Sequence, residues 1–191
     1  MTTSFDVPWN RYALIVELAD RLKGKSPQFG KTALQKMVYL LQEVYGIDCG
    51  YVYEFYSYGP FSSQLLQDLD LVEHVGAVEV CSVMSATGGY LIKPGGKADA
   101  LREKAADFLK NPQTEQALST LVDEFGRYSA KELELRSTIV YVVREIALGN
   151  HLPSAEEVSH VVSQLKPKFD GSEINQAIEE MRSKGHITLS G

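Results

Sequence analysis

The chain has 191 residues, 44% of them hydrophobic, and its 19 basic and 25 acidic residues give a formal net charge of −6. This composition excludes extensive disorder and is sufficient for the core of one large or two small domains. The acidic balance excludes a general nucleic-acid-binding surface, although a local basic stripe stays open. Without an apolar leader or a run of about 20 apolar residues, a soluble cytoplasmic protein is expected.

Two helices come first in chain order. The first, over residues 9–22, carries its apolar residues at helical spacing and is expected to pack into the core. The second, over 32–45, opens with Thr32 and Gln35 in the capping-box arrangement, in which each side chain satisfies a free backbone amide. Its apolar residues lie on several sides, which indicates burial by more than one neighbour.

A strand and a third helix follow. Aromatic residues alternate with polar ones over 51–58, which predicts a strand that ends at the Gly59-Pro60 corner. The next helix, over 62–75, is amphipathic. Its predicted outer side carries Ser63, Gln64, Gln67, Asp68, Asp70 and Glu73.

Two short strands, over 77–84 and 90–93, are joined by the flexible stretch 85–89. A helix followed by such a hairpin is the order found in a winged helix. The predicted fold class is therefore mainly α with a small antiparallel β hairpin.

The rest of the chain is predicted to be helical almost throughout. Pro112 marks the expected boundary between a winged-helix-like domain over 1–111 and a helical, helix-turn-helix-like domain over 112–191. Ser129–Glu132 and Ser154–Glu157 form two further capping boxes. The predicted helices cover 97–110, 114–128, 129–149, 154–165 and 172–184, and a last strand covers 186–189.

The sequence contains no catalytic or metal-binding signature. Cys49 and Cys81 form no C-x-x-C pair, so both are interpreted as small buried residues. The four histidines do not have the i, i+4 spacing of a helical zinc site, and there is no G-x-S-x-G motif. Neither a cofactor nor a metal is predicted, and an enzyme is the least favoured class of protein.

Four tyrosines, at positions 51, 53, 56 and 58, raise the question of what covers them. Half of a strand's side chains face away from its core. Either the C-terminal helices cover that outer face, or the outward tyrosines form an interaction hot spot.

Two kinds of partner fit the region around the corner. Binding of a protein is favoured, because the carboxylates on the helix over 62–75 repel phosphate. The residues predicted for it are Tyr56, Tyr58, Gly59, Pro60, Phe61, Gln64 and Gln67. The alternative is a transcription regulator that binds DNA as a homodimer. The residues predicted for DNA contact are Ser63, Gln64, Gln67, Thr87 and Lys93.

One motif resembles a known group of bacterial proteins. It consists of Leu34, Gln35, Lys36, Tyr39 and Leu40, followed by Tyr58, Gly59 and Pro60. This pattern resembles the winged-helix-like families that include the SocA (Panacea) antitoxin-associated domain and the YwgA-like proteins, and it covers about residues 31–75. The stretch after Pro60 is closer to the YwgA-like pattern. The resemblance implies a mobile-element or stress-associated cytoplasmic protein that acts by binding, as an antitoxin-like or adaptor protein, and it adds no active-site residues.

Overall fold

The computed structural model describes residues 7–84 and 88–190. These residues are mainly helical, as the sequence predicts, and they form two small antiparallel hairpins where the sequence predicts one. The helices are α1 (Trp9–Leu22), α2 (Lys31–Glu43), α3 (Ser63–His74), α4 (Ala98–Glu103), α5 (Ala106–Leu109), α6 (Pro112–Phe125), α7 (Ala130–Ala147), α8 (Ala155–Leu165) and α9 (Gly171–Ser183). The strands are β1 (Glu54–Tyr56), β2 (Gly59–Phe61), β3 (Val78–Ser82) and β4 (Tyr90–Pro94).

Helix α2 lies at the centre of the core. Every residue over 33–41 is buried, because α6, α7, β2 and β4 all pack against this helix. Burial from several sides confirms the prediction made from its apolar pattern. The buried residues include Gln35 and Lys36, two polar side chains that must find partners inside the protein.

The capping box predicted at the start of α2 is wrong. The helix begins one residue earlier, with Gly30 as its N-cap, and no side chain caps it. Gln35 instead faces the junction between β2 and α3. Its Nε2 donates to Ser62 O at 2.8 Å, and Ser62 N donates to Gln35 Oε1 at 2.9 Å. This paired contact fixes α2 to the start of α3.

The caps in the second half of the chain follow the prediction more closely. Ser129 and Glu132 form a complete capping box at the start of α7. At α8, Ser154 Oγ accepts the amide of Glu157 at 3.1 Å, which is one half of the predicted box. The β-branched run over 138–143 lies within α7, so the helix predicted over 129–149 is confirmed there.

The strand predicted over 51–58 is much shorter than expected. Only β1 is extended in a ladder, and the residues expected to end the strand, Gly59 and Pro60, begin β2. The two strands form a hairpin with Ser57 and Tyr58 at its turn, and Phe55 lies opposite Pro60. Proline is tolerated there because a two-stranded sheet leaves each strand with one unpaired edge.

The second hairpin agrees with the predicted strands over 77–84 and 90–93, apart from its ends. Strands β3 and β4 pair in antiparallel register, with Val80 opposite Ile92. Residues 85–87 of the predicted connection lie outside the described residues. Cys81 is exposed on β3, so its predicted burial is wrong, whereas Cys49 is buried as predicted.

Two other predicted elements differ from the structure. The helix expected over 97–110 is divided into α4 and α5, because Ala105 leaves the helical conformation at φ −124° and ψ 30°. The strand expected over 186–189 forms no ladder; this segment packs along the core with Ile187 buried, and Ser190 N donates to Pro153 O at 2.9 Å.

The two predicted domains contact each other closely. Helices α6 and α7, which follow the predicted boundary, pack against α1 and α2, and residues from both sides of Pro112 contribute to one hydrophobic cluster. The division at residue 111 stays a prediction.

Candidate functional site

A pocket of about 370 Å³ lies beside the β1–β2 hairpin, and we call it the hairpin pocket. The hairpin, α2 and α3 form its walls. Its lining residues are Lys31, Thr32, Gln35, Lys36, Tyr56, Ser57, Tyr58, Gly59, Phe61 and Leu66. Four of the seven residues predicted to bind a partner, Tyr56, Tyr58, Gly59 and Phe61, are therefore brought together around one cavity.

The tyrosine run is divided between core and surface. Tyr51 is buried, and Tyr53 packs edge-on against Tyr39 with ring centroids 5.0 Å apart. Tyr56 and Tyr58, in contrast, are 53% and 64% exposed. Tyr51 is therefore covered, Tyr53 is partly covered, and Tyr56 and Tyr58 reach the surface. An interaction hot spot formed by the last two stays a prediction.

The remaining predicted partner residues differ in accessibility. Gly59 and Pro60 are buried, and Phe61 is partly exposed, with its ring centroid 5.1 Å from that of Tyr56. Gln64 and Gln67 are exposed on α3. The accessible part of the predicted set is therefore formed by the two tyrosines, Phe61 and the two glutamines.

Two buried lysines hold the hairpin turn through backbone carbonyls. Lys36 Nζ donates to Pro60 O at 2.7 Å, and Lys166 Nζ donates to Ser57 O. Lys36 comes from α2, and Lys166 follows α8. The turn that carries Tyr58 is consequently held by both halves of the chain.

Lys166 and Lys168 share one buried carboxylate. Glu134 on α7 is only 2% exposed, and its two oxygens lie 2.9 Å from Lys166 Nζ and 2.7 Å from Lys168 Nζ. Lys168 Nζ also lies 5.4 Å from the centroid of the Tyr58 ring. A carboxylate buried this deeply needs such pairing, because an isolated buried charge costs several kcal/mol.

Lys36 is the least compensated of these buried charges. Its side chain is 1% exposed, and no ion pair within 4.0 Å involves it in the described part of the chain. Burial lowers the pKa of its amine from 10.5 to about 7; Glu134 opposes this change, and Lys166 adds to it. The amine therefore changes its charge near neutral pH, inside the wall of a pocket.

The backbone conformation and close packing at position 59 require a glycine at the corner. Its φ of +85° lies in the left-handed region, which side chains disfavour. A Cβ added there would also lie 3.0 Å from Thr138 Oγ1 and 3.7 Å from Lys36 Nζ. The glycine lets the hairpin lie directly on α2 and α7.

The outer face of α3 is less acidic than the sequence predicts. Asp68, predicted to be exposed, is 3% exposed. Its carboxylate accepts two hydrogen bonds of 2.8 Å from Arg11, one of 2.9 Å from the Tyr51 hydroxyl and one of 3.0 Å from Gln64 Nε2. A carboxylate can be buried here because a bidentate arginine neutralises it. Asp70 and Glu73 remain on the exposed face.

The residues predicted for DNA contact are only partly described. Ser63, Gln64 and Gln67 are exposed along α3, and Lys93 is exposed on β4. Thr87 lies outside the described residues. Because Gln64 is hydrogen-bonded to Asp68, its amide is already engaged. DNA binding stays a prediction.

Sequence reasoning missed the buried charges at this site. Lys36 could have been noticed, because it is a lysine inside the apolar run LQKMVYLL, where most sides of the helix are buried. Glu134 and Lys166 carry no comparable signal, since each lies in an ordinary polar stretch of the sequence. Their pairing depends on how α7 meets the segment after α8.

The chain matches no protein-family model and no curated protein. Among the helices in residues 7–84 and 88–190, none has the length and apolarity required to cross a membrane.

Proposed function

We propose that this protein is a non-enzymatic regulatory or adaptor protein, antitoxin-like in its mode of action, that binds a protein partner through the hairpin pocket and its rim. One observation carries the proposal: two tyrosines that are more than half exposed stand beside a largely apolar pocket. Tyrosines with free faces next to a pocket are typical of interface hot spots, because they bury large area at a low cost in conformational entropy.

The rigidity of the hairpin supports the proposal. A turn that projects two aromatic rings loses little entropy on binding when its backbone is already fixed. Here Lys36 and Lys166 bind carbonyls on both sides of Tyr58. The interaction surface is therefore preorganised by the core of the protein.

We also propose a winged-helix-like arrangement for residues 1–111 and membership of the YwgA-like group. The order of α2, α3 and the β3–β4 hairpin supports the first, and the Tyr58-Gly59-Pro60 corner supports the second. The hairpin pocket lies between α2 and α3, beside the Tyr58-Gly59-Pro60 corner on which the proposed membership rests.

The test is capture of the partner from cells that contain this protein. A photo-reactive phenylalanine derivative at position 58 would cross-link a bound protein, which mass spectrometry then identifies. A Tyr58→Ala, Phe61→Ala double variant should lose that partner while keeping its circular dichroism spectrum. Leu148→Ala is the matched control, because Leu148 is another strongly exposed apolar residue, located at the end of α7 away from the pocket.

The control should capture the partner as well as the natural protein does. The proposal is refuted if the folded double variant retains every partner of the natural protein.

A further inference from the structure

The charge of the hairpin pocket is opposite to that of the whole protein. The chain carries a net charge of −6. Two charged side chains line the pocket as the structure describes it, and both are lysines, Lys31 and Lys36. Lys168 stands close by, against the Tyr58 ring. A partner group that enters this pocket with the Lys36 amine protonated therefore meets positive charge, which favours an anion.

The neighbouring lysines have carboxylates, and Lys36 does not. Lys166 and Lys168 both pair with Glu134, and Lys31 Nζ lies 3.9 Å from the exposed Asp70. Lys36 has the Pro60 carbonyl as its hydrogen-bond acceptor, which leaves two of the three ammonium donors for other groups. The cation that most needs a counter-charge thus lies in the wall of the cavity.

The pocket's other walls require an apolar group. Tyr56, Phe61 and Leu66 provide aromatic and aliphatic surface. A volume of about 370 Å³ is near the lower end for ligand sites, so one or two side chains fit and a helix does not. The geometry therefore suits a short segment that carries a ring and an anion next to each other.

We propose that the hairpin pocket receives a segment of a protein partner in which a glutamate or aspartate stands beside an aromatic residue. The carboxylate binds the Lys36 ammonium, and the ring packs against Tyr56, Phe61 and Leu66. Gly59 assists, because it places no side chain near the amine. This inference rests on the proposed function and adds the chemistry of the partner to it.

Binding of such a segment depends on the protonation of Lys36. The charged groups that act on this amine from neighbouring elements are Glu134 on α7 and Lys166 after α8. The pKa of Lys36 is about 7 in the empty pocket, so the ammonium form becomes scarce above neutral pH. A carboxylate ligand stabilises that form, and its affinity therefore falls as the pH rises from 7 to 9.

Two peptides test the proposal: acetyl-Gly-Phe-Glu-Gly-amide and its uncharged counterpart acetyl-Gly-Phe-Gln-Gly-amide. Binding to the full chain is followed through the backbone amide signals of residues 57–59 and 61–66 in nuclear magnetic resonance titrations. The glutamate peptide should bind about tenfold more tightly at pH 7, as expected for a hydrogen bond to a charged group. Lys36→Met should abolish this preference, and Lys110→Met, which changes an exposed lysine, should keep it.

A second measurement needs no variant, so it stands even if Lys36→Met does not fold. The preference of the natural protein for the glutamate peptide, about tenfold at pH 7, should be nearly lost at pH 9, where the Lys36 amine is uncharged. A third arm compares 3-phenylpropionate with 3-phenylpropanamide. If only this small acid shows a charge preference, the site binds free acids and the claim of a protein segment is overturned.

Equal affinity for the two peptides, or a preference that persists in folded Lys36→Met, also overturns the inference. These outcomes are distinct from failure of the proposed function. If the peptides fail while the Tyr58→Ala, Phe61→Ala variant still loses its partner, protein binding stands and only the acidic chemistry of the partner is wrong. If that variant keeps every partner, the function itself fails.

Discussion

Replacement of Lys36 by methionine should change how the stability of the protein depends on pH. Methionine has a similar length and is apolar, so it fills the same buried space without a charge. The natural amine is 1% exposed and titrates with a pKa of about 7 instead of 10.5. Because the pKa is lower in the folded state, the unfolded chain binds the proton more tightly. The free energy of unfolding therefore rises with pH between 7 and 10.5 and is independent of this group below 7.

The magnitude follows from the two pKa values. The difference between 10.5 and about 7 corresponds to about 5 kcal/mol in total, at about 1.36 kcal/mol per pKa unit. Roughly 2 kcal/mol of this falls between pH 7 and pH 9. The natural protein should gain that amount over this interval relative to Lys36→Met, in which the group no longer titrates.

Urea unfolding at a series of pH values measures the effect. Differences between the two proteins cancel the contributions of all other titrating groups, provided that the slope of the free energy with urea stays the same. Lys110→Met serves as the control and should run parallel to the natural protein, because Lys110 is exposed. If the free energies of unfolding of the natural protein and Lys36→Met stay parallel over pH 7 to 9, the Lys36 amine does not have the lowered pKa that its burial implies.

Two further changes test the contacts that position the pocket. Asp68→Asn should destabilise the protein by about 3 kcal/mol in urea unfolding, because it leaves the Arg11 guanidinium without its buried partner. The control Asp70→Asn, on the same helix, should change the free energy of unfolding by no more than about 0.5 kcal/mol. Equal effects of the two changes would contradict the burial of Asp68. Gly59→Ala should lower the free energy of unfolding by at least about 1 kcal/mol, because the φ of residue 59 is +85° and the new Cβ would crowd Thr138. The control Gly96→Ala should be nearly neutral, because a Cβ there meets open space. A neutral Gly59→Ala would mean that the corner relaxes to accommodate a side chain.

Local residue patterns predicted the helices better than the contacts between them. The apolar spacing of α1 and α2 and the capping box at Ser129 predict real helices, since these signals are local and act within one turn of the chain. The same kind of reasoning misplaced Gln35, because a capping signal and a tertiary hydrogen bond use the same amide. Only the approach of Ser62 decides between them.

Both the length and the existence of strands were hard to predict from the sequence. Residues 51–58 alternate as a strand does, yet a ladder needs a partner, and the partner available to β1 is the three-residue β2 that follows the turn. The segment 186–189 has no partner strand among the described residues and packs along the core instead.

The sequence by itself determined the helices, the second hairpin and the presence of an aromatic corner, because backbone propensity and hydrophobic periodicity act over neighbouring residues. The tertiary structure decided which side of that corner is exposed and which charges lie beneath it. Lys36, Glu134 and Lys166 are far apart in sequence and meet only because α7 and the segment after α8 pack onto α2 and the hairpin. The physical reason is that burial and pairing of charge depend on the distances between elements, which no local pattern of residues records.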